Sequence, residues 1–475
     1  MATFATLLLA AYLSRKFSKT DWATYRQSFL VYTMAAPLLG MGLSKALFYF
    51  LPANEERNRG LLLENLIPLI FTGTCYLLFI LLGGNLLIAR LFGNPALEGT
   101  LLILAPLAIF SLIAGCVGPC LIASERVLTA AIFNLATQTA FLVFVFMAVF
   151  YSPTVHAAVW GRIIAAGLIF VAAIWVTLSV CRNGRPSIQG IGPQLAYGLP
   201  LGLSTMVNTF SRNIDRTMVS GYCTEPEYAT FDNGALELPL VGSITGSMTS
   251  ILIVDYRKML DAGGQERQIL GLLHRAMIKS ATILIPCMFF LLLTAPEFMV
   301  CMFGDKYLDS APVFRVYLLL LPVRTLTFSS IALAAGKTKL LACVPIVTVG
   351  INVVLNYFAI RHMGYIGCAF ATVLVIYFVG TLGRALIATN VLGCSLLDFI
   401  PWSSIGQLMV IGASATFPMI VFRSIFTIGN PWLLLPTSGA IYLFSVTPML
   451  CHFGFVNPQD IYDRLRKVLP GSIGS

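Results

Sequence analysis

"DWATYRQS", Asp21 to Ser28, comes back about two hundred residues later as "EYATFDNG", Glu227 to Gly234. Acid, aromatic, Ala, Thr, aromatic keep their order, and the polar pair after them changes only in type. Two further matches follow in the same order along the chain. "NEERNRGLL" resembles "GQERQILGLL", and "RLFGNPALEG" resembles "CMFGDKYLDSAP", each of the latter pair reading Phe-Gly, three residues, Leu, an acid. One short match is chance; three in register mark an internal duplication.

Composition says what is duplicated. The 475 residues are 58% hydrophobic and 11% charged, with a mean hydropathy of +0.86, where soluble domains carry about 25% charged residues. So apolar a chain has too little polar surface to cover an aqueous core. Apolar runs long enough to cross a bilayer as helices fall at 1–17, 25–51, 61–90, 100–123, 129–151, 155–180, 195–222, 228–254, 270–294, 312–335, 340–361, 364–389, 405–426 and 432–451. Lipid offers the backbone no partner, so helices are the expected spanning form, and the short alternating segments of a β-barrel do not dominate. The fold expected is therefore all-α, a polytopic membrane protein of about fourteen transmembrane helices.

Six crossings, an even number, separate the copies. They should share one orientation and be related by a pseudo-two-fold axis along the membrane normal, the parallel-repeat architecture of a transporter. The expected division is an N-lobe at 1–180, a linker "CRNGRPSIQGIGPQ" at 181–194, a C-lobe at 195–389, two appended helices within 403–452 and a polar tail at 453–475. Aligned on the repeated turn, the chain begins about ten residues late, so either the first helix is truncated or the start lies upstream. No cleavable signal peptide is evident, since no basic region precedes the first apolar run. Lys and Arg concentrate in the loops around Arg57, Arg59, Arg126, Arg182, Arg185, Lys258, Arg275, Lys337 and Lys339 and in the tail at Arg464, Arg466 and Lys467. By the positive-inside bias that side is cytoplasmic, both termini with it, and the "DWATY" and "EYATF" turns lie outside.

Other classes fit poorly. The net charge of +10 forms no basic stripe of a nucleic-acid binder. The 11 Cys are scattered; Cys116 and Cys120 lie four apart without His or carboxylate, which reads as packed thiols rather than a metal site. The four His form no HExxH pattern. "AAGKTK", Ala334 to Lys339, is a phosphate-loop fragment with Ile331 where the motif needs Gly, so ATP binding is not expected. No cofactor is expected, and energy would come from a Na+ or H+ gradient, a partner, or the gradient of the cargo.

"LLLAAYLSRKFSKTDWATYRQS", "GLSKALFYFLP" and "YGLPLGLSTMVNTFSRNIDRTMVSGYCTEPEYATFDNGALELP" resemble the opening of each lobe in bacterial polysaccharide (O-antigen-type) flippases of the MATE-like superfamily. The resemblance covers nearly the whole chain, and the short first helix departs from it. It implies a two-lobed helical bundle in the inner membrane that moves an undecaprenyl-pyrophosphate-linked oligosaccharide by alternating access. It also implies membrane lipids, and a polymerase and glycosyltransferases of O-antigen, capsule or exopolysaccharide synthesis, as partners. Other transporters of the superfamily, a peptidoglycan-precursor flippase or a multidrug exporter, are the alternative. A membrane polymerase or ligase is a further one, although no His-carboxylate constellation converges on an outer loop.

Charges within the spans are the candidate site, because a charge in the bilayer is costly and faces a cavity or a partner. Arg212, Asp215 and Arg216 share a helix face in span seven, while the matching positions near Leu7, Ala10 and Ala11 are apolar. They read as an anion site, Arg offering a permanently charged fork to phosphate, with Asp215 holding the arginines or exchanging an ion. The other reading is an intrahelical ion pair with Arg216 snorkelling outward. Arg324, two residues after Pro322, and Glu237, two before Pro239, sit beside expected hinges and are candidates to pair. Lys45, Arg162 and Arg384 complete the substrate-binding candidates, whereas Asp232 reads as solvated near the outer turn. Gly198/Gly202 and Gly242/Gly246 are spaced for close helix packing.

Overall fold

The computed structural model describes residues 2–261, 266–426 and 429–457. Among them every regular element is a helix, as a chain with no water to satisfy its backbone requires. By length and apolarity nine helical stretches qualify as membrane spans, ten when the bent pair Asp305–Leu318 and Leu321–Ala334 counts as one. The expected count of fourteen is not confirmed by this measure. Ala2–Lys16 has only 15 residues, Ile191–Tyr222 is thick with polar and charged side chains, and Thr338–Leu392 counts once although Gly364 (φ 61°) breaks it. The expected tail falls outside the described residues from 458 onward, with Arg464, Arg466 and Lys467.

The chain packs as two compact units. The first runs to Asp232 and adds Val349–Cys368. Its helices are α1 (Ala2–Lys16), α2 (Lys19–Gly40), α3 (Leu43–Ala53), α4 (Asn58–Phe79), α5 (Asn85–Leu91), α6 (Leu97–Leu104), α7 (Leu107–Ala114), α8 (Val117–Ala123), α9 (Val127–Tyr151), α10 (Val155–Val180), α11 (Ile191–Tyr222) and most of α12 (Glu225–Gly234). The second takes Asn233–Thr348 and everything from Ala369. It holds α13 (Pro239–Asp261), α14 (Glu266–Phe303), α15 (Ala311–Leu318), α16 (Leu321–Arg324), α17 (Phe328–Ala334), the two ends of α18 (Thr338–Val375), α19 (Leu382–Leu392), α20 (Leu396–Phe399), α21 (Trp402–Ser414), α22 (Thr416–Ile425) and α23 (Pro431–His452). The repeat lobes divide the sequence; these units divide the packing.

The first repeated turn docks on its Phe-Gly connector. In the first copy Gly93 (φ 62°) turns the chain, and Asn94 Nδ2 donates to Thr24 Oγ1 at 2.9 Å and Gln27 Oε1 at 2.7 Å. Ser28 and Thr100 hydroxyls meet at 2.8 Å. In the second copy Gly304 (φ 94°) turns the chain, and Gly234, which stands where Ser28 does, packs on Ser310 and Val313. Large rings fill the docked turns: Trp22, Tyr228 and Tyr307 are buried.

Span two is two helices. α2 ends at Gly40, and Met41 (φ 45°) and Gly42 (φ 68°) turn left-handed before α3 starts. A glycine is required there by conformation and by crowding. A Cβ on Gly202 of α11 would lie 2.6 Å from the Met41 carbonyl carbon, and one on Gly198 would lie 2.9 Å from its oxygen. The small-residue pair of α11 is thus the seat for the break in span two. Gly242 does not act alike, since a Cβ on it meets nothing within 4 Å among the described residues.

The linker 181–194 is strapped to α4. Glu64, fully buried, takes Arg57, the Ser187 amide at 2.6 Å and Gln194 Nε2 at 3.5 Å. Asn65 Nδ2 donates to Gln194 Oε1 at 2.8 Å, and Arg59 N donates to the Asn183 carbonyl. Cys116, Cys120 and Cys181 pack beneath with Leu43, Leu47 and Leu62. Outside, α9 and α10 present Leu128, Tyr151 and Trp175, each more than two-thirds exposed, as a lipid-facing surface.

Gly202→Val should therefore destabilise the detergent-solubilised protein by about 1–3 kcal/mol, the usual cost of overpacking. Gly242→Ala should leave its thermal midpoint unchanged. Equal midpoints for Gly202→Val and the parent chain would disprove the seat.

Candidate functional site: cations in line on α11

Thr205, Arg212 and Arg216 follow one another on α11 at spacings of seven and four, which keeps them on one face over about 16 Å of helix. Lys45, on α3, donates from Nζ to Thr205 Oγ1 at 2.8 Å. Arg212 is exposed and donates to no described residue. Arg216 donates from Nε to Asp232 Oδ1 at 2.8 Å. Three of the sequence-predicted cations thus stand in line within the first unit.

Asp232 is not the solvated acid expected from its place near the turn. Its side chain is 2% exposed, because a second arginine closes over it. Arg26 donates from Nε to Oδ2 at 2.5 Å and from Nη2 to Oδ1 at 3.1 Å, a forked charge-assisted pair. Trp22 lies 5.6 Å from the Arg26 guanidinium. Positions 26 and 232 are equivalent in the repeat, so the duplicated turn bonds to its own copy through the one pair of residues where the copies carry opposite charge. Arg26 was overlooked in the sequence. The signal lay in the repeat alignment, where an arginine faces an aspartate.

Asp215 is buried, and its Oδ1 accepts from Asn356 Nδ2 at 3.1 Å, with Cys368 Sγ 3.9 Å from its carbonyl oxygen. Arg162, on α10, lies 3.5 Å over the Phe141 ring and 5.6 Å from Phe29. Its buried Nε has no hydrogen-bond partner among the described residues, so aromatic faces hold this cation. At the start of α12, burial and the neighbouring Asp21 carboxylate push the Glu225 carboxyl above its ordinary value.

The remaining candidates belong to the second unit. Arg324 Nη2 meets Glu237 Oε1 at 3.3 Å with both side chains open, 47% and 68% exposed, so the expected pair forms but is loose. Arg384 is half-buried on α19 beside Gly380. A further pair, Arg423 with Glu297, ties α22 to α14. Among the described residues no group of three or more His, Cys, Asp or Glu is placed to hold a metal ion.

Residues 12–312 match the sequence model of a family described as polysaccharide biosynthesis protein. In three dimensions the chain is similar to the lipid II flippase MurJ in an inward closed conformation, with a TM-score of 0.77 and 16% identity over 97% of this chain and 98% of that one. It is similar to an inward-facing multidrug resistance MATE family transporter of the MOP superfamily, with a TM-score of 0.67 and 14% identity over 82% and 94%. It is also similar to a MOP superfamily transporter from Pyrococcus furiosus, with a TM-score of 0.56 and 14% identity over 83% and 93%. At such identities the likeness is one of fold. No curated protein matches the chain by sequence.

Arg26→Ala and Asp232→Ala should each destabilise the protein by about 3 kcal/mol, the low end for a broken buried pair because Arg26 is a third exposed. The double variant should lose less than the sum, with a coupling of about 0.5–3 kcal/mol by denaturation in detergent. Strict additivity would show that the pair contributes nothing.

Proposed function

Because the chain belongs to the polysaccharide biosynthesis protein family, we propose that it is a flippase. It carries an undecaprenyl-pyrophosphate-linked oligosaccharide repeat unit from the cytoplasmic to the outer leaflet of the inner membrane by alternating access. The observation that carries the reading is Arg212, exposed and unpaired among the described residues, in line with Lys45 and Arg216 on α11. An open cation among membrane-spanning helices is placed to meet an anion. Pyrophosphate supplies one, and a guanidinium matches its oxygens two at a time. Arg162, held on Phe141 in the first unit, and Arg324 and Arg384 in the second are further cations for anion binding, each within its own unit.

A Na+ or H+ gradient drives the cycle in this reading. Asp215 is the exchanging group: its carboxylate is buried, and beside it Asn356 Oδ1 has no partner among the described residues. Such oxygens suit a hard cation or a shared proton. Glu237, paired loosely with Arg324, exchanges its partner rather than a bound ion. The linker and both termini lie on the cytoplasmic side, where the basic loops collect. Glycosyltransferases supply the cargo on that side and a polymerase consumes it on the other.

A peptidoglycan-precursor flippase is the second reading, favoured by the fold match along 97% of the chain. A multidrug exporter fits less well, because cationic drugs need acidic cavity groups, and of the candidate acids Asp215 is buried while the open Glu237 is paired with Arg324.

In proteoliposomes the protein should move a lipid-linked oligosaccharide to the opposite leaflet. Arg212→Ala should slow this about tenfold or more, in line with losing one charge-assisted contact of about 1.5–3 kcal/mol, and Arg212→Lys less. Wild-type rates from a well-folded Arg212→Ala would sink the site. Transport of lipid II in preference to any oligosaccharide lipid would establish the second reading.

A further inference from the structure

Two guanidinium groups share one carboxylate at the outer end of the α11 line. Arg26 and Arg216 bring two positive charges to the single negative charge of Asp232. Asp232 is sealed at 2% exposure, whereas the Arg26 side chain is 33% exposed. Arg26 uses Nε and Nη2 on the carboxylate, so Nη1 remains a donor with no partner among the described residues. Trp22 stands beside the guanidinium and limits where it can turn. The cluster is therefore a fork-shaped receptor already half filled by a carboxylate, with a donor of the part-exposed Arg26 still open.

Carboxylate and phosphate present paired oxygens to a guanidinium in the same geometry. A phosphate arriving at this cluster competes with Asp232 for the same N–H groups. One helical turn away Arg212 is open, so an anion leaving Arg212 meets Arg216 next. A carrier must let go of what it binds, and a pathway conducts only when each stop is favourable enough to enter and weak enough to leave. A resident competitor provides that weakness.

We infer that Arg26 and Arg216 form a second station for a phosphate or pyrophosphate group, and that the Asp232 carboxylate is a built-in competitor that refills the station and displaces the ligand. The ligand's identity rests on the flippase reading; the competition does not. Neither Arg26 nor Asp232 is needed for the line of Lys45, Arg212 and Arg216 described above, and the charge difference between positions 26 and 232 is a departure from the repeat.

The test titrates inorganic pyrophosphate into the purified full chain in detergent and reads affinity by calorimetry. Asp232→Asn should bind about tenfold or more tightly than the parent protein, and adding Arg26→Gln should abolish the gain. A folded Asp232→Asn that binds no more tightly overturns the inference. Arg26→Lys keeps the charge and the packing but loses the fork, so it remains informative if Asp232→Asn does not fold. It should weaken pyrophosphate binding at least threefold, and an unchanged affinity overturns the station. Farnesyl pyrophosphate should compete with inorganic pyrophosphate, whereas phosphatidylglycerol should not. Equal competition by phosphatidylglycerol would assign the station to bulk lipid and overturn its role for cargo. The flipping assay separates the two ideas. A parent protein that shows this binding pattern but flips no lipid-linked sugar removes the flippase reading, and one that flips while Asp232→Asn binds like the parent removes the competitor.

Discussion

Hydrocarbon gives a peptide group nothing to bond to, and every feature of this chain follows from that. The backbone closes its own hydrogen bonds in helices, and irregular backbone survives only where packing covers it. The break between α2 and α3 sits on Gly198 and Gly202 of α11. The linker's turns are satisfied by Glu64, Asn65 and Gln194. The same constraint makes each charge in the spans conspicuous. Arg57, Arg216, Arg324 and Arg423 hold carboxylates, Lys45 holds a hydroxyl, Arg162 lies on a ring, and Arg212 stays open.

The duplication builds the scaffold, and its exceptions build the chemistry. Both copies carry an aromatic-rich turn and a Phe-Gly connector with a left-handed glycine, Gly93 in one and Gly304 in the other. Where the copies agree, residues pack: Trp22 and Tyr228 are buried alike. Where they disagree, charge appears. Position 26 is Arg and its counterpart 232 is Asp, and the two find each other. α11 carries arginines where α1 is apolar.

The candidate charges were legible because lipid penalises charge independently of fold. A scan for charged residues in apolar runs finds Arg162, Arg212, Asp215, Arg216, Glu237, Arg324 and Arg384 without any structure. The same scan passes over Glu64, although it is a carboxylate inside an apolar span, because the adjacent polar loop makes it look solvated. Asp232 is misjudged for the same reason: nearness to a turn stands in for exposure, and folding of the turn onto α11 reverses it. Helical spacing puts Asp215 with Arg212 and Arg216, yet the amide of Asn356, more than a hundred residues away, bonds its carboxylate.

By itself, the sequence determined that this protein lies in a membrane, is helical and is built from two copies of one block. Apolar length, the absence of charge and a recurring motif are properties of the chain alone, and they need no partner to act. Only the tertiary structure decided which charges are open, which are neutralised and by whom. An ion pair depends on where a second side chain arrives, as Asp232 does beneath Arg26. That arrival is set by packing between helices distant in sequence, which no local pattern records.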